Sequence, residues 1–167
     1  LFKAFSASKT MDQIEKKRAL ITGITGQDGA YLAKFLLEKG YDVYGTIRRI
    51  STPNFWRLKD LKVLKKITLV QADLTDMASI SEAIQKTNPH EIYNLAAQSF
   101  VGASFYQPIG SANVNALGVL RVLEAVRLHN KSIKIYQAST SEMYGSSVSP
   151  ELTQTENTKF KPNSPYA

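Results

Sequence analysis

The segment "RALITGITGQDGAYLAKFLLEKGY", Arg18 to Tyr41, is compatible with few folds. Ala19 to Ile21 is a short apolar run bounded by turn residues, the pattern of a buried strand. Gly23, Gly26 and Gly29 follow, and then Tyr31, Leu32, Phe35 and Leu36 recur at helical spacing until Gly40 ends the helix. A glycine triplet alone says little, but between an apolar strand and an amphipathic helix it becomes a dinucleotide-binding fingerprint. In that reading Gly23 permits the tight turn, Gly26 lets the backbone approach a pyrophosphate, and Gly29 lets helix and strand pack closely. Free N–H groups at the helix N-terminus then meet the phosphates. The whole loop, Gly23, Ile24, Thr25, Gly26, Gln27, Asp28 and Gly29, is a candidate for cofactor contacts.

The same alternation continues along the chain. "DVYGTI", "ITLVQADL", "EIYNLAA" and "IKIYQAS" read as four further strands. A helix from about Met77 to Lys86 closes at Asn88-Pro89, and one long helix is expected from Pro108 to His129. Strands separated by helices of this length form βαβ units, which require a parallel sheet covered by helices on both faces. The expected fold class is therefore α/β, a doubly wound parallel sheet of the NAD(P)-binding Rossmann type. After Ser139 the pattern gives way to the polar loop "SSVSPELTQTENTKFKPNSP", of a length usually functional or disordered. Five strands read as a domain incomplete at the C-terminus. Residues 1–16, with Met11 inside them, read as a leader or tag-like flexible segment, and 17–167 as the cofactor domain.

Composition removes other classes. The chain has 167 residues and no cysteine, which excludes disulfide frameworks and thiolate metal sites. His90 and His129 lie far apart without ligand spacing and read as surface residues near helix ends; no metal site is expected. The net charge of +7 could serve nucleic acid, membrane or anionic small ligands. Its clusters, Lys16-Lys17-Arg18, Arg48-Arg49 and Lys65-Lys66, lack the interleaved aromatics of a strand-binding platform, so neither nucleic acid nor membrane is an expected partner. No apolar run approaches the roughly 20 residues that span a bilayer, and a cytoplasmic protein is the expectation.

The second strand ends in "GTIRRIST", with Arg48 and Arg49 and no carboxylate to accept from a ribose 2′-hydroxyl. Two guanidiniums suit a 2′-phosphate, so NADP is the expected cofactor. Asp73 and Leu74 follow the third strand, where a short carboxylate can meet the adenine. Leu95, Ala96, Ala97, Gln98 and Ser99 end the fourth strand with small residues that let a cofactor lie close. All these segments lie at carboxyl ends of strands, where ligands of such sheets bind. At the end of the fifth strand, Thr140 and Glu142 are two apart, so an extended segment would point both to one side; capping or turn roles fit them equally.

Taken together, "ITGITGQDGAYLAKFLLEKGYDVYGTIRR", "ADLTD", "EIYNLAAQSFV", "NVNALGVLRVLEAVR", "QASTSEMYG" and "SPYA" resemble the extended short-chain dehydrogenase/reductase superfamily, and within it the GDP-mannose 4,6-dehydratases. The resemblance runs from about Lys17 to Ala167. It implies a redox-neutral elimination: hydride passes from hexose C4 to NADP, the acidified C5 proton is removed, water leaves from C6, and the hydride returns to C6. Thr140 matches the residue that hydrogen-bonds the C4 oxygen, Glu142 the acid/base at C5 and C6, and Tyr166 the tyrosine that takes the C4 hydroxyl proton. A free tyrosine has a pKa of about 10, so that role needs a nearby cation. In the family's Y-x-x-x-K pattern this is a lysine, which would lie past Ala167.

Three positions depart from the family pattern: Phe100 replaces a usual histidine, Gly110 stands where a tyrosine is common, and the loop between Tyr144 and Tyr166 is slightly longer. An epimerase or 4-keto-reductase of the same superfamily is the alternative chemistry, disfavoured by Glu142, the arginine pair and "AAQS". As it stands the chain also reads as a non-catalytic NADP-binding module, inactive without the lysine and a substrate domain. The resemblance implies a GDP-mannose substrate and a homo-oligomer, a dimer or tetramer, with the loop from Arg48 to Arg57 available for subunit contacts.

Overall fold

Five strands, β1 (Arg18–Thr22), β2 (Asp42–Ile47), β3 (Thr68–Gln71), β4 (Glu91–Asn94) and β5 (Lys134–Gln137), lie parallel in the order β3-β2-β1-β4-β5. The structure, a computed structural model, describes residues 15–146 and 153–167. The order reverses direction at β1, so the crevice between the carboxyl ends of β1 and β4 is the topological switch point. β1 is buried on both faces: Ala19 and Ile21 pack with α1 (Gln27–Glu38), while Leu20 faces α3 (Met77–Thr87) and α6 (Leu117–His129). Ile80, Ile84, Ile92, Val122 and Val126 complete that second layer. Each large aliphatic side chain so buried contributes about 1.5–3 kcal/mol.

The helical stripe of α1 differs from the one its spacing suggested. Gly29, Ala30, Ala33 and Leu36 are buried, whereas Tyr31 and Phe35 are more than half exposed. The reason is close approach. A Cβ on Gly29 would lie 2.7 Å from Ile24 Cα, so the start of α1 fits only small residues against the loop, and a large one, Leu36, is buried only further along. The aromatic residues are left on the outer face.

The long helix expected over 108–129 is two helices, α5 (Pro108–Asn115) and α6, broken at Ala116. At the break the Arg121 guanidinium takes the Asn113 carbonyl (3.0 Å) and side-chain oxygen (2.8 Å), and also the Leu74 carbonyl (3.0 Å). A backbone acceptor of the helix is thereby spent on a tertiary contact. Two short helices without a clear periodic signal, α2 (Trp56–Asp60) and α4 (Val101–Tyr106), fill the connections after β2 and β4.

His90 is half-buried and has a structural duty. Its Nδ1 accepts the Arg18 N–H at 3.0 Å, and its backbone N–H donates to the Arg18 carbonyl at 2.9 Å, joining the starts of β1 and β4. His129 is exposed in the last turn of α6. Of the expected leader, residues 1–14 lie outside the described residues, while Glu15 pairs with Arg18 and Lys16 with Asp42. Within the long polar loop 147–152 also lie outside, but its return is anchored. Lys161 N–H donates to the Met143 carbonyl at 2.9 Å, and the Phe160 ring meets Tyr144 edge-on at 5.1 Å. No helix among the described residues is long and apolar enough to cross a membrane. No group of three or more metal-ligating side chains occurs among them either.

Candidate functional site

The glycine loop closes over the end of β1 with Gly26 N–H donating to the Gly23 carbonyl at 2.9 Å. Gly23 has φ +69°, and a Cβ there would also lie 2.9 Å from Ala96 N, so both conformation and space require glycine. Gly26 is the exposed N-cap of α1 and offers no side-chain cap. α3, by contrast, is capped by Asp76, whose carboxylate accepts from Ala78 and Ser79 N–H. The first-turn N–H groups of α1 are therefore left for an external anion, which the helix dipole also favours. Beside this turn the Arg57 guanidinium, stacked 4.4 Å over the Trp56 ring, reaches the Thr25 carbonyl at 3.5 Å.

A cleft of about 690 Å³ lies over the carboxyl ends of the strands. It brings together Gly23, Thr25 and Gly26 with Arg48, Arg49, Asp73, Leu74 and the whole run Leu95, Ala96, Ala97, Gln98 and Ser99. Four residues of the loop stand apart from its lining. Ile24 is fully buried in the core, Gly29 is buried against the Gly23–Ile24 backbone, and Gln27 and Asp28 are exposed on the first turn of α1. Ile50, Pro53, Asn54 and Phe55 also line the cleft, although no periodic or motif signal marked them.

The walls are held by side-chain hydrogen bonds. Partial burial works against the Asp73 carboxylate, but the Thr75 N–H (2.8 Å) and hydroxyl (2.7 Å), with the charges of Arg48 and Arg121, hold its pKa below the usual value. Arg48 and Asp73 both line the cleft, just past the ends of β2 and β3. On the other wall Gln98 and Asn115 exchange two bonds: Gln98 N–H to Asn115 Oδ1 at 2.8 Å, and Asn115 Nδ2 to the Gln98 carbonyl at 2.9 Å. The Gln98 side chain closes on the Phe100 backbone at 3.0 and 3.1 Å. Phe100 itself is 68% exposed, and a Cβ at Gly110 would meet open space, so both departures from the family pattern leave surface free.

Thr140, Glu142 and Tyr166 are not part of the cleft lining. No extended segment joins Thr140 to Glu142 either: Thr140 has extended backbone but caps a 3₁₀ turn, Ser141–Tyr144, its hydroxyl accepting from Glu142 N–H at 3.1 Å. The strand has already ended at Gln137, and Ser139, with φ +58°, turns the chain before Thr140 is reached. Glu142 is exposed, and Tyr166 is half-buried in a turn closed by Ala167 N–H on the Ser164 carbonyl at 3.1 Å. All three follow β5, whose end is joined to that of β4 by Ala138 N–H on the Asn94 carbonyl at 3.3 Å.

The family model described as GDP-mannose 4,6 dehydratase matches residues 20–167. The chain belongs to the GDP-mannose 4,6-dehydratase family. It is 49% identical over 159 residues to a GDP-mannose 4,6-dehydratase of Vibrio cholerae, covering 91% of this chain and 42% of that protein. It is 51% identical over 164 residues to GDP-mannose 4,6 dehydratase 1 of Arabidopsis thaliana, covering 91% and 44%. The chain thus spans less than half the length of the curated relatives it matches. Among solved structures, the UDP-glucose 4-epimerase from Brucella ovis in complex with NAD has a TM-score of 0.77 at 25% identity, over 90% of this chain and 43% of that one. The Thermus thermophilus UDP-glucose 4-epimerase in complex with NAD gives 0.73 at 29%, over 89% and 46%. The dehydratase family match begins at Leu20 and takes in every wall of the cleft.

Proposed function

We propose that this chain is the cofactor-binding part of a nucleotide-sugar 4,6-dehydratase that converts GDP-mannose to its 4-keto-6-deoxy product with NADP. The observation that carries the reading is the identity of about half of all aligned residues to proteins named for that activity. The glycine cradle fits a pyrophosphate, because a side chain at Gly23 or Gly29 would collide with the backbone around it. Arg48 and Arg49, at the mouth of the cleft, support NADP over NAD through bidentate contacts to a 2′-phosphate. A bound nicotinamide supplies a reversible hydride acceptor.

The remaining chemistry falls to side chains after β5. Tyr166 takes the C4 hydroxyl proton as hydride leaves C4, and Thr140 hydrogen-bonds the C4 oxygen. Glu142 removes the C5 proton and delivers a proton to the departing C6 hydroxyl, which leaves as water. With hydride lent and returned to C6 by a bound nicotinamide, C5 would regain a proton, the one Tyr166 took from the C4 hydroxyl, so atoms and redox would balance between substrate, product and the released water. A tyrosine base near neutrality needs a cation beside it, so the isolated 167-residue chain is expected to bind NADP without turning over GDP-mannose. The exposed apolar residues Ile109, Leu117, Leu120 and Leu128 on α5 and α6 support a homo-oligomer, readable by sedimentation.

Two measurements test the reading. The whole protein should convert GDP-mannose to a 4-keto sugar with no net change in NADPH absorbance; net NADPH consumption would overturn it in favour of a reductase. Titration of Trp56 fluorescence in this chain should show tighter binding of NADP than of NAD, a preference lost in Arg48→Ala with Arg49→Ala. Tighter NAD binding would contradict the arginine assignment.

A further inference from the structure

The carboxyl ends of β1, β4 and β5 are linked by side chains as well as by the backbone ladder. Thr22 Oγ1 donates to Asn94 Oδ1 at 2.6 Å, and Asn94 Nδ2 donates to Gln137 Oε1 at 2.7 Å. Thr22 Oγ1 also accepts from Leu95 N–H and Ala96 N–H, each at 3.0 Å. A hydroxyl has one proton and two lone pairs, so Thr22 is fully used. The chain of bonds works in one sense only. Were the Asn94 amide reversed, its NH₂ would claim a Thr22 lone pair, and one of the two backbone N–H groups would lose its acceptor. Thr22 is 5% and Asn94 1% exposed, so water cannot easily make good such a loss.

The sense is imposed at Thr22 and leaves the Asn94 NH₂ pointing away from the cleft. Gln137, exposed on the edge strand β5 and outside the cavity lining, supplies the acceptor that holds this nitrogen. The turn at the far end of the relay, Leu95–Ala96, does line it and sits against Gly23. We infer that Gln137 is a positioning residue, orienting the Asn94 amide, through it the Thr22 hydroxyl, and through that the Leu95–Ala96 wall of the cleft. Arg48 and Asp73 stand at the ends of β2 and β3, on the other side of the switch point, beyond the relay's reach. Resting on the NADP reading above, with the 2′-phosphate at the arginines, the relay shapes the half of the cleft facing the nicotinamide and leaves the adenosine half alone.

Calorimetry on the full 167-residue chain, with NADP and with 2′,5′-ADP as separate ligands, tests this. Gln137→Leu should weaken NADP about threefold to tenfold, the order expected for one lost part-buried hydrogen bond, and change 2′,5′-ADP by less than about twofold. Gln137→Glu, which keeps an acceptor toward Asn94, should bind both like the unsubstituted chain. Gln137→Lys, with donors only, should repeat the leucine result and serves if the leucine variant does not fold. Equal weakening of both ligands would mean general loosening and would overturn the proposal. So would unchanged NADP affinity in Gln137→Leu, or a glutamate variant as weak as leucine. If the unsubstituted chain binds neither ligand, the cofactor reading itself fails and the relay has nothing to position; normal binding with an inert Gln137 sinks the relay alone.

Discussion

Ile24 occupies the space that a side chain on Gly45 would need. A Cβ built on Gly45 would lie 2.7 Å from Ile24 Cβ, and closer still to the rest of that fully buried side chain. Ile24 is the second residue of the glycine loop, and Gly45 sits in the middle of β2, paired with Ile21 of β1. The strand glycine therefore sets how deeply the glycine loop is seated on the sheet. Glycine inside a strand often marks such close approach.

Gly45→Ala is accordingly expected to destabilise the chain by about 1–3 kcal/mol, the usual cost of overpacking, and to weaken nicotinamide-cofactor binding as the loop lifts. Ile24→Ala combined with Gly45→Ala should cost less than the two single changes added together. Urea unfolding of the four proteins measures the coupling, and strict additivity would show that the two residues do not share the space.

Gly23 and Gly40 separate strain from collision. Both have positive φ, +69° and +82°, but a Cβ at Gly40 meets nothing within 4 Å, whereas one at Gly23 meets the Ala96 and Leu95 backbone. Gly40→Ala should cost roughly 1–2 kcal/mol from backbone conformation alone. Gly23→Ala should cost distinctly more and should abolish nicotinamide-cofactor binding. Equal unfolding midpoints for the two variants would contradict the close approach of β1 and β4.

Asp73 makes stability depend on acid in a defined direction. Its pKa is lowered in the folded state from the ordinary 3.8. A depressed carboxyl contributes stability that is fully present above the unfolded pKa and is lost as pH falls through the folded one. The stability difference between the parent chain and Asp73→Asn should thus be constant above about pH 5 and shrink below about pH 4. Urea titrations at several pH values would reveal it, and a difference that grows on acidification would be the wrong sign.

Tyr93 acts at the opposite end of the scale. Burial, together with its hydrogen bond to Glu91 Oε2 at 2.9 Å and that residue's charge, raises its pKa to about 12. A raised tyrosine pKa contributes stability below the unfolded value of about 10 that is lost as pH rises through the folded value. Tyr93→Phe should therefore flatten the alkaline fall in stability between those two values. In ultraviolet titration of the folded chain, the variant should lack the last phenol to ionise.

Much of the fold was legible because its signals are local. The strand, glycine loop and helix from Arg18 to Tyr41 depend on periodicity and on backbone freedom at a few positions, which neighbouring residues alone decide. The strand ends carrying Arg48, Asp73 and Leu95 to Ser99 could be grouped from topology rules without coordinates, and the cleft does gather them. The outward turn of Tyr31 and Phe35 was not legible, since it follows from the height of α1 above the sheet. Nor was the break at Ala116, which depends on where Arg121 finds its acceptors, one of them 47 residues away.

By itself, then, the sequence determined the parallel α/β architecture, the glycine turn after β1 and the arginine-rich end of β2, because each is written in adjacent residues. Only the tertiary structure decided which polar groups hold those pieces in register. Thr22 meets Asn94 across 72 residues and Asn94 meets Gln137 across 43, at strand ends that become neighbours only when the sheet forms. Threonine, asparagine and glutamine carry no periodic signature that distinguishes a buried relay from a solvated turn. The difference lies in burial and in the direction of each hydrogen bond, and the folded chain alone supplies both.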